Sequence, residues 1–287
     1  MSTEVPEFLP ADLEVYVEGV EAPEGPAWGP DGALYLVSAA RASVFRVGDN
    51  RRVTEVANTG GRPNGLAFSA DGTLYVADAG KQAVLSLSES GIVEVFASEY
   101  ESRQFGGPND LAFLPNGELI FSDPARLPMP DPCMSPVYIA APDGTVRVFV
   151  NALAYPNGVD LTVDGRGVLI AEMRANRLVM FGLDAQNNPT EEKLVRRFRE
   201  PASPDGMALD AEGRIFQALP GIQSLAVVGP GGELAELYYS PKWRPSNVAF
   251  GGPDMRTVFV TSEDDGKVYA FRHSVAGLET TPRGQHL

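Results

Sequence analysis

The sequence predicts an all-β fold, a six-bladed β-propeller with four antiparallel strands in each blade. Three observations predict this fold class. A short phrase that begins with proline occurs six times, the copies lie 40 to 48 residues apart, and an alternation of apolar and polar residues with period two runs between them. A repeat of this length that is built from short strands is typical of propeller blades.

Each copy of the phrase consists of a proline, an oxygen-bearing residue and a turn into a short apolar run. We call the oxygen-bearing residue that follows the proline the marker residue of its blade. The six marker residues are Glu24, Asn64, Asn109, Asn157, Asp205 and Ser246.

The second repeat shows the strands of one blade most clearly. It predicts strands at 66–68, 73–77, 82–87 and 92–97, and Asp71-Gly72 supplies a hairpin turn between the first two. No amphipathic segment of useful helical length interrupts this or the other repeats.

The two ends of the chain predict how the ring closes. The last repeat has three predicted strands, at 248–250, 258–261 and 267–272, and 13–17 resembles the fourth strands of the other repeats. We expect 13–17 to complete the sixth blade, which removes an exposed sheet edge. The alternative is a loose N-terminal arm. Residues 1–287 are thus predicted to form one domain, with a flexible arm at 1–11 and a tail at 274–287.

One connection departs from the repeat, a proline-rich loop at 124–136. It leaves the end of a second strand and should overhang the face of the ring that carries the marker residues. Long loops in compact domains are usually functional, so it is interpreted as a lid or a pocket wall.

Composition excludes several partners. The net charge of −15 disfavours nucleic acid and anionic membrane surfaces. No apolar run approaches the roughly 18 residues of a membrane span, and the N-terminus does not resemble a signal peptide. Cys133 is the single cysteine, which prevents an intrachain disulfide and suits a reducing compartment, so a cytoplasmic location is predicted.

Six-fold repetition should place the marker residues in a ring around the central channel. Glu24, Asn109, Asn157 and Asp205 then offer two carboxylates and two amide oxygens. Hard divalent cations take such ligands, and Ca²⁺ fits this set best, with Zn²⁺, Mn²⁺ or Fe²⁺ as alternatives. The competing interpretation is that these residues only cap the turn at the start of each blade.

The positions of the two histidines narrow the possible catalytic mechanisms further. His273 and His286 lie at the end of the last strand and in the tail, so no Ser-His-Asp or Cys-His arrangement is expected at the ring. Catalysis there should be metal-assisted, with a carboxylate as base. Asp205 is the predicted base, because a short side chain at the rim can reach both metal and water.

Five phrases together resemble the senescence marker protein, gluconolactonase and luciferin-regenerating enzyme family, over about 15–272. They are Glu24-Gly25-Pro26, Gly107-Pro108-Asn109-Asp110-Leu111, Pro156-Asn157-Gly158, Pro204-Asp205-Gly206-Met207 and Phe250-Gly251-Gly252-Pro253-Asp254. The resemblance implies a six-bladed propeller and a metal-dependent hydrolase, mostly of lactones.

By motif, the resemblance places the metal ligands at Glu24, Asn157 and Asp205, with Asn109 contacting metal or substrate and Asp205 again the base. The sugar-lactonase branch often has an arginine two residues before the blade-three asparagine, and this chain has Gly107 there. Further substrate contacts are predicted from Asn64, Asp123 and Arg126, although Asp123 can instead be a turn cap.

The predicted function is hydrolysis of a small lactone at a divalent cation, with Asp205 activating water. Two alternatives remain at this stage. One is a phosphotriesterase or arylesterase acting at the same metal, and the other is a non-catalytic binding propeller with a structural ion.

Overall fold

Six four-stranded antiparallel sheets surround a central channel in the computed structural model of the chain. The structure describes residues 7–88, 90–126 and 130–278. The predicted six-bladed propeller with four strands per blade is therefore confirmed.

The innermost strand of each blade carries the marker residue or begins two residues after it. These strands are β2 (Pro23–Trp28), β6 (Pro63–Phe68), β12 (Leu111–Phe113), β16 (Pro156–Leu161), β20 (Met207–Leu209) and β24 (Pro245–Gly251).

The second and third strands form the middle of each blade. The second strands are β3 (Leu34–Ser38), β7 (Leu74–Asp78), β13 (Leu119–Ser122), β17 (Gly167–Glu172), β21 (Ile215–Leu219) and β25 (Thr257–Ser262). The third strands are β4 (Ser43–Val47), β8 (Ala83–Leu87), β14 (Met134–Ala140), β18 (Arg177–Leu183), β22 (Ser224–Val228) and β26 (Lys267–Arg272).

The outer strand of each blade is the most exposed to solvent. The outer strands are β1 (Glu14–Glu18), β5 (Val53–Asn58), β9 (Val93–Ala97), β15 (Val146–Ala154), β19 (Pro189–Arg197) and β23 (Leu234–Tyr239). A small hairpin, β10 (Glu99–Tyr100) with β11 (Arg103–Gln104), lies between the second and third blades and was not predicted from the sequence.

The N-terminal strand closes the ring. β1 pairs antiparallel with β26, so the sixth sheet has the order β1-β26-β25-β24 and contains both ends of the propeller. This confirms the role predicted for 13–17. Pairing the first strand with the last covers an edge that would otherwise be free to associate.

Buried apolar side chains form six clusters among the described residues, one between each pair of neighbouring blades. The cluster at the seam joins Val17, Phe259 and Val268 of the sixth blade to Leu34 and Leu36 of the first. Hydrophobic burial therefore links the blades in a closed sequence, and no interface depends on hydrogen bonds alone.

Both terminal segments make backbone hydrogen bonds with the propeller. Phe8 forms a β-bridge with Tyr239, and Gly277 forms one with Asp210. Residues 1–6 and 279–287, which include parts of the predicted arm and tail, lie outside the described residues. So do 127–129 of the predicted lid loop.

Helical structure in the described chain is confined to three short 3₁₀ turns: Asp49–Arg51, Met173–Ala175 and Pro220–Ile222. None of the helices in this part of the chain is long and apolar enough to cross a membrane.

Replacement of Val17 by alanine should weaken the seam. Val17 is 5% exposed, and the lost methyl groups and residual cavity should lower the free energy of unfolding by about 2 kcal/mol. Thermal denaturation should show a melting temperature lower by roughly 5 °C.

Val15→Ala is the matched control, because Val15 lies on the same strand and is 40% exposed. Both variants lose a β-branched residue, so strand propensity cancels. Equal shifts for the two would contradict the assignment of the seam core to Val17.

Candidate functional site

The marker residues form one ring, as contacts between neighbouring inner strands demonstrate. Asn64 Nδ2 of the second blade donates a hydrogen bond to Asn109 Oδ1 of the third. The Gly206 N–H of the fifth blade donates to Ser246 O of the sixth over 2.9 Å. The Ser246 hydroxyl donates to Pro23 O of the first blade over 3.5 Å.

The inner strands of the remaining three pairs of neighbouring blades also lie in close contact. Ser122 Oγ of the third blade donates to Asn157 O of the fourth over 2.6 Å. A Cβ added to Gly25 would collide with Asn64 O, and one added to Gly158 would collide with Asp205 O. Glycine after the marker residue is therefore what allows adjacent inner strands to approach one another at these two steps.

A register shift helps to aim the marker residues. In β2, β6, β16 and β24 the pairing with the second strand is interrupted at or just after the marker residue. Such bulges turn a side chain away from the regular alternation. The alternation of apolar and polar residues in the sequence therefore does not predict where these side chains point.

Glu24 and Asp205 are the two carboxylates of the ring. Glu24 is 5% exposed, and its Oε2 accepts a hydrogen bond of 2.7 Å from the Gly25 N–H. Burial raises the pKa of Glu24 to about 7, and the negative charge of Glu263 adds to this rise. Burial also raises the pKa of Asp205 well above its usual range, and the Glu24 charge raises it further.

Asn109 and Asn157 are each 3% exposed. The Oδ1 of Asn109 accepts the hydrogen bond from Asn64, and the Nδ2 of Asn157 faces Met173 Sδ at 3.9 Å. With its nitrogen turned towards Met173, Asn157 presents its amide oxygen on the opposite edge. Both residues therefore bring buried amide oxygens to the ring that Glu24 and Asp205 complete.

This donor set fits a hard divalent cation. Glu24 is buried and its negative charge raises the pKa of Asp205, so it is costly to ionise both carboxyl groups unless a positive charge compensates them. Among residues 7–88, 90–126 and 130–278, no group of three His, Cys, Asp or Glu side chains is arranged to hold a metal. A cation at the ring would consequently need the asparagine oxygens as well as the carboxylates, as Ca²⁺ readily allows.

The other predicted site residues have unequal surroundings. Asn64 is partly buried and bonds to Asn109, so it belongs to the ring. Asp123 is 3% exposed, and its two oxygens accept the N–H groups of Gly106 and Gly107 at 2.8 and 2.7 Å. These bonds tie the end of the second strand to the segment that precedes Asn109 and are not a local turn cap, and a substrate contact for Asp123 stays a prediction.

Two features near the ring were not recognised in the sequence. Tyr155 is 8% exposed, and the charge of Asp205 adds to the burial that raises its pKa. Its backbone has φ of 57°, which is rare for a bulky residue and is not encoded in any motif. Glu263, paired with Arg244 at 2.8 Å, adds negative charge near Glu24 and Asp205.

The described histidine lies away from the ring. His273 follows β26, and its Nε2 lies 3.1 Å from Asp210 Oδ2, beside the bridge between Asp210 and Gly277. His286 lies outside the described residues. The expectation that His273 takes no part in chemistry at the ring agrees with this position.

The opposite end of the channel contains a separate cavity of about 400 Å³. It is lined by the far ends of the inner strands and holds Asp110 and Asp160. Burial raises the pKa of each of these carboxyl groups to about 7, and Asp160 adds to the rise at Asp110. None of the six marker residues lines this cavity, but Gly25, Asp110 and Asn247, each next to a marker residue, do, so the cavity adjoins the ring from its far side.

Residues 22–264 match the family described as the SMP-30/gluconolactonase/LRE-like region. The chain belongs to this family. The resemblance seen in the sequence is thus confirmed over most of its length.

Characterised relatives cover the chain to different extents. The gluconolactonase of Zymomonas mobilis is 27% identical over 58% of this chain and 51% of its own length. The diisopropyl-fluorophosphatase of Loligo vulgaris is 25% identical over 93% of this chain and 94% of its own. The chain thus spans about half the length of the first relative and nearly all of the second.

Solved structures with the same fold include a gluconolactonase from Xanthomonas campestris, with a TM-score of 0.81, 19% identity and coverage of 93% of this chain and 89% of that one. A second is a calcium-binding protein, regucalcin, from Agrobacterium tumefaciens, with a TM-score of 0.81, 22% identity and coverage of 93% and 95%. At these identities the likeness establishes the fold alone.

Replacement of Asp160 by asparagine should stabilise the protein in alkaline solution. The folded-state pKa of about 7 exceeds the unfolded value of about 3.9, so ionisation of Asp160 costs stability as the pH rises through this interval. Asparagine cannot ionise and can still accept the 2.8 Å bond from the Leu161 N–H.

Thermal denaturation should show the variant to be more stable than the parent by roughly 2 kcal/mol at about pH 8, and no more stable near pH 4. Asp49→Asn, at an exposed 3₁₀ turn, is the control for a simple change in net charge. A gain that is independent of pH would contradict this account.

Proposed function

We propose that this protein is a lactone hydrolase whose reaction takes place at the marker ring. The observation that carries the proposal is the pair of carboxylates, buried Glu24 and partly buried Asp205, with the buried amides of Asn109 and Asn157 at equivalent positions of neighbouring blades. Membership of a family that includes a gluconolactonase supports the same reaction class.

Glu24, Asn109, Asn157 and Asp205 would hold one divalent cation. Ca²⁺ is the proposed ion, because all four ligands are hard oxygen donors and a structural relative is described as a calcium-binding protein. When bound, the cation supplies Lewis acidity that polarises the lactone carbonyl and stabilises the oxyanion.

Asp205 acts as the general base in this proposal. It accepts a proton from a water molecule whose oxygen bonds to the carbonyl carbon, and the ring C–O bond then breaks. The released alkoxide takes up a proton, so one lactone and one water give one hydroxy acid. With the cation bound, its positive charge would favour the ionised form of Asp205 that accepts the proton.

Asn64 and Ser246 keep the ring together in this scheme. The Asn64 amide bonds to Asn109 Oδ1, which leaves the second lone pair of that oxygen for a cation or a substrate hydroxyl. Ser246 bridges the fifth, sixth and first blades. Asn64 is therefore proposed to act on the substrate indirectly, because it orients the side-chain amide of Asn109.

A phosphotriesterase is the second candidate. The squid diisopropyl-fluorophosphatase matches nearly the full length of both chains, unlike the gluconolactonase. The same donors could serve at a phosphoryl oxygen, so a panel of lactones and phosphotriesters separates the two. Turnover of phosphotriesters without lactones would reverse the ranking.

Asp205→Asn should reduce kcat for lactones by about 10³-fold or more, because the amide cannot accept the proton. Steady-state kinetics measure the effect, and metal analysis and thermal denaturation report on the cation and the fold. Asp160→Asn is the matched control, since it makes the same chemical change in the cavity at the other end of the channel. Retention of most activity in Asp205→Asn with metal bound would rule out Asp205 as the base.

Removal of divalent cations with a chelator should abolish lactone turnover, and reloading should restore it. The panel should contain Ca²⁺, Zn²⁺, Mn²⁺ and Fe²⁺, because all are compatible with oxygen ligands to different degrees. We expect Ca²⁺ to restore activity best. Full activity in metal-free protein would refute a metal-dependent reaction at the ring.

A further inference from the structure

Arg126 is a partly buried cation with two guanidinium nitrogens that have no hydrogen-bond partner within the described chain. It lies four residues beyond β13, at the start of the proline-rich loop. Its side chain is partly buried, and its Nε and Nη2 atoms are fully buried without a hydrogen-bond partner in the described structure. Burial of guanidinium N–H groups without partners is costly, so such groups usually await a ligand.

The Arg126 side chain passes beside the backbone of Gly107. A Cβ at position 107 would lie 3.6 Å from Arg126 Cδ and 3.4 Å from Ala79 Cβ, and Gly107 has φ of +145°, a conformation that favours glycine. The aliphatic part of Arg126 therefore passes over backbone two residues before Asn109. An arginine from the loop occupies space beside the segment that carries a ring residue.

The surroundings of the guanidinium place it near the proposed chemistry. Burial raises the pKa values of Asp123, Tyr155 and Asp205, and the positive charge of Arg126 opposes that rise in all three. The position of the side chain itself is given by its Cδ, which lies beside Gly107, two residues before Asn109.

Neither nearby carboxylate accepts a hydrogen bond from Arg126 Nε or Nη2 in the described structure. The two oxygens of Asp123 already accept the N–H groups of Gly106 and Gly107. Asp205 is assigned to the cation in the proposed function. The protein is also strongly acidic overall, so an anionic ligand would need a local positive group to bind at all.

We propose that Arg126 determines specificity for lactones that carry an anionic substituent, a carboxylate, sulfonate or phosphate, at a position away from the reacting carbonyl. This inference rests on the proposed lactonase function and names its substrate class. The planar guanidinium offers Nε–H and Nη2–H in the fork geometry that matches two oxygens of one anionic group. The reacting carbonyl would then face Asp205 while the anionic group is bound by Arg126.

The test compares kcat/KM for neutral and anionic lactones of the same ring size. Suitable probes are glucono-1,5-lactone, its 6-phosphate and its 6-sulfonate, and a glucaric acid lactone for the carboxylate. The proteins are the parent chain, Arg126→Met, Arg126→Lys and Arg103→Met. Arg103 lies on the exposed strand β11 and is the matched control for loss of one positive charge near the same rim.

The parent should prefer at least one anionic lactone over the neutral one. Arg126→Met should lower kcat/KM for that lactone by about 30- to 100-fold, mainly through KM, because a charged hydrogen-bonded pair is lost. For the neutral lactone the change should stay below about three-fold. Arg126→Lys should recover part of the loss, since it keeps the charge without the fork, and Arg103→Met should leave the preference unchanged.

Equal losses on neutral and anionic lactones in Arg126→Met would overturn the inference, because a structural role would not alter the preference. A parent that prefers the neutral lactone would overturn it too. The comparison among carboxylate, sulfonate and phosphate identifies which anionic group the site accepts.

Failure of the proposed function can be recognised separately. If no lactone is hydrolysed with metal bound, calorimetry with gluconate and 6-phosphogluconate still measures whether Arg126 binds an anionic group. Tighter binding of 6-phosphogluconate that is lost in Arg126→Met would support an anion site at Arg126 without lactonase activity. Equal binding of the two acids in the parent would reject the anion site.

Discussion

The fold and the site both depend on how closely the six inner strands approach the channel axis. Between the first and second blades, and between the fourth and fifth, the approach is so close that a glycine backbone meets the carbonyl oxygen of the next marker residue. Side-chain hydrogen bonds from Asn64, Ser122 and Ser246 make other steps around the ring. Close packing of the inner-strand backbones therefore brings the marker residues together at the channel.

Convergence has an electrostatic consequence. It removes Glu24 and Asp205 from water and brings their negative charges together, while Glu263 adds a third negative charge. Hydrophobic clusters between all six pairs of blades stabilise this arrangement against its own repulsion. A propeller can hold such a cluster because the core that supports it lies between the blades and not at the axis. The charge repulsion at the ring and the hydrophobic burial that stabilises the fold thus lie in different places.

The loop that follows β13 brings a side chain close to the ring from outside the repeated motif. Position 107 is glycine, and the space beside it is occupied by the side chain of Arg126 from another part of the chain. In the proposed site, the marker ring is kept while Arg126, the group that would face the rest of the substrate, comes from a different segment. Proximity in space, and not position in the motif, decides which residues can share a substrate.

The repeat of forty-odd residues, the alternation of period two and the resemblance of 13–17 to an outer strand were enough to predict six blades and the closure by β1. These features are local or periodic, so they can be recognised in a single chain. The four oxygen donors were recognisable for the same reason, because each follows a proline in an equivalent phrase. The hairpin β10–β11, the hydrogen bonds of Asp123 and the positive φ of Tyr155 were decided by tertiary contacts. The raised pKa values of Glu24 and Asp205 also belong to the folded state alone, since burial and the approach of charges from different blades cause them.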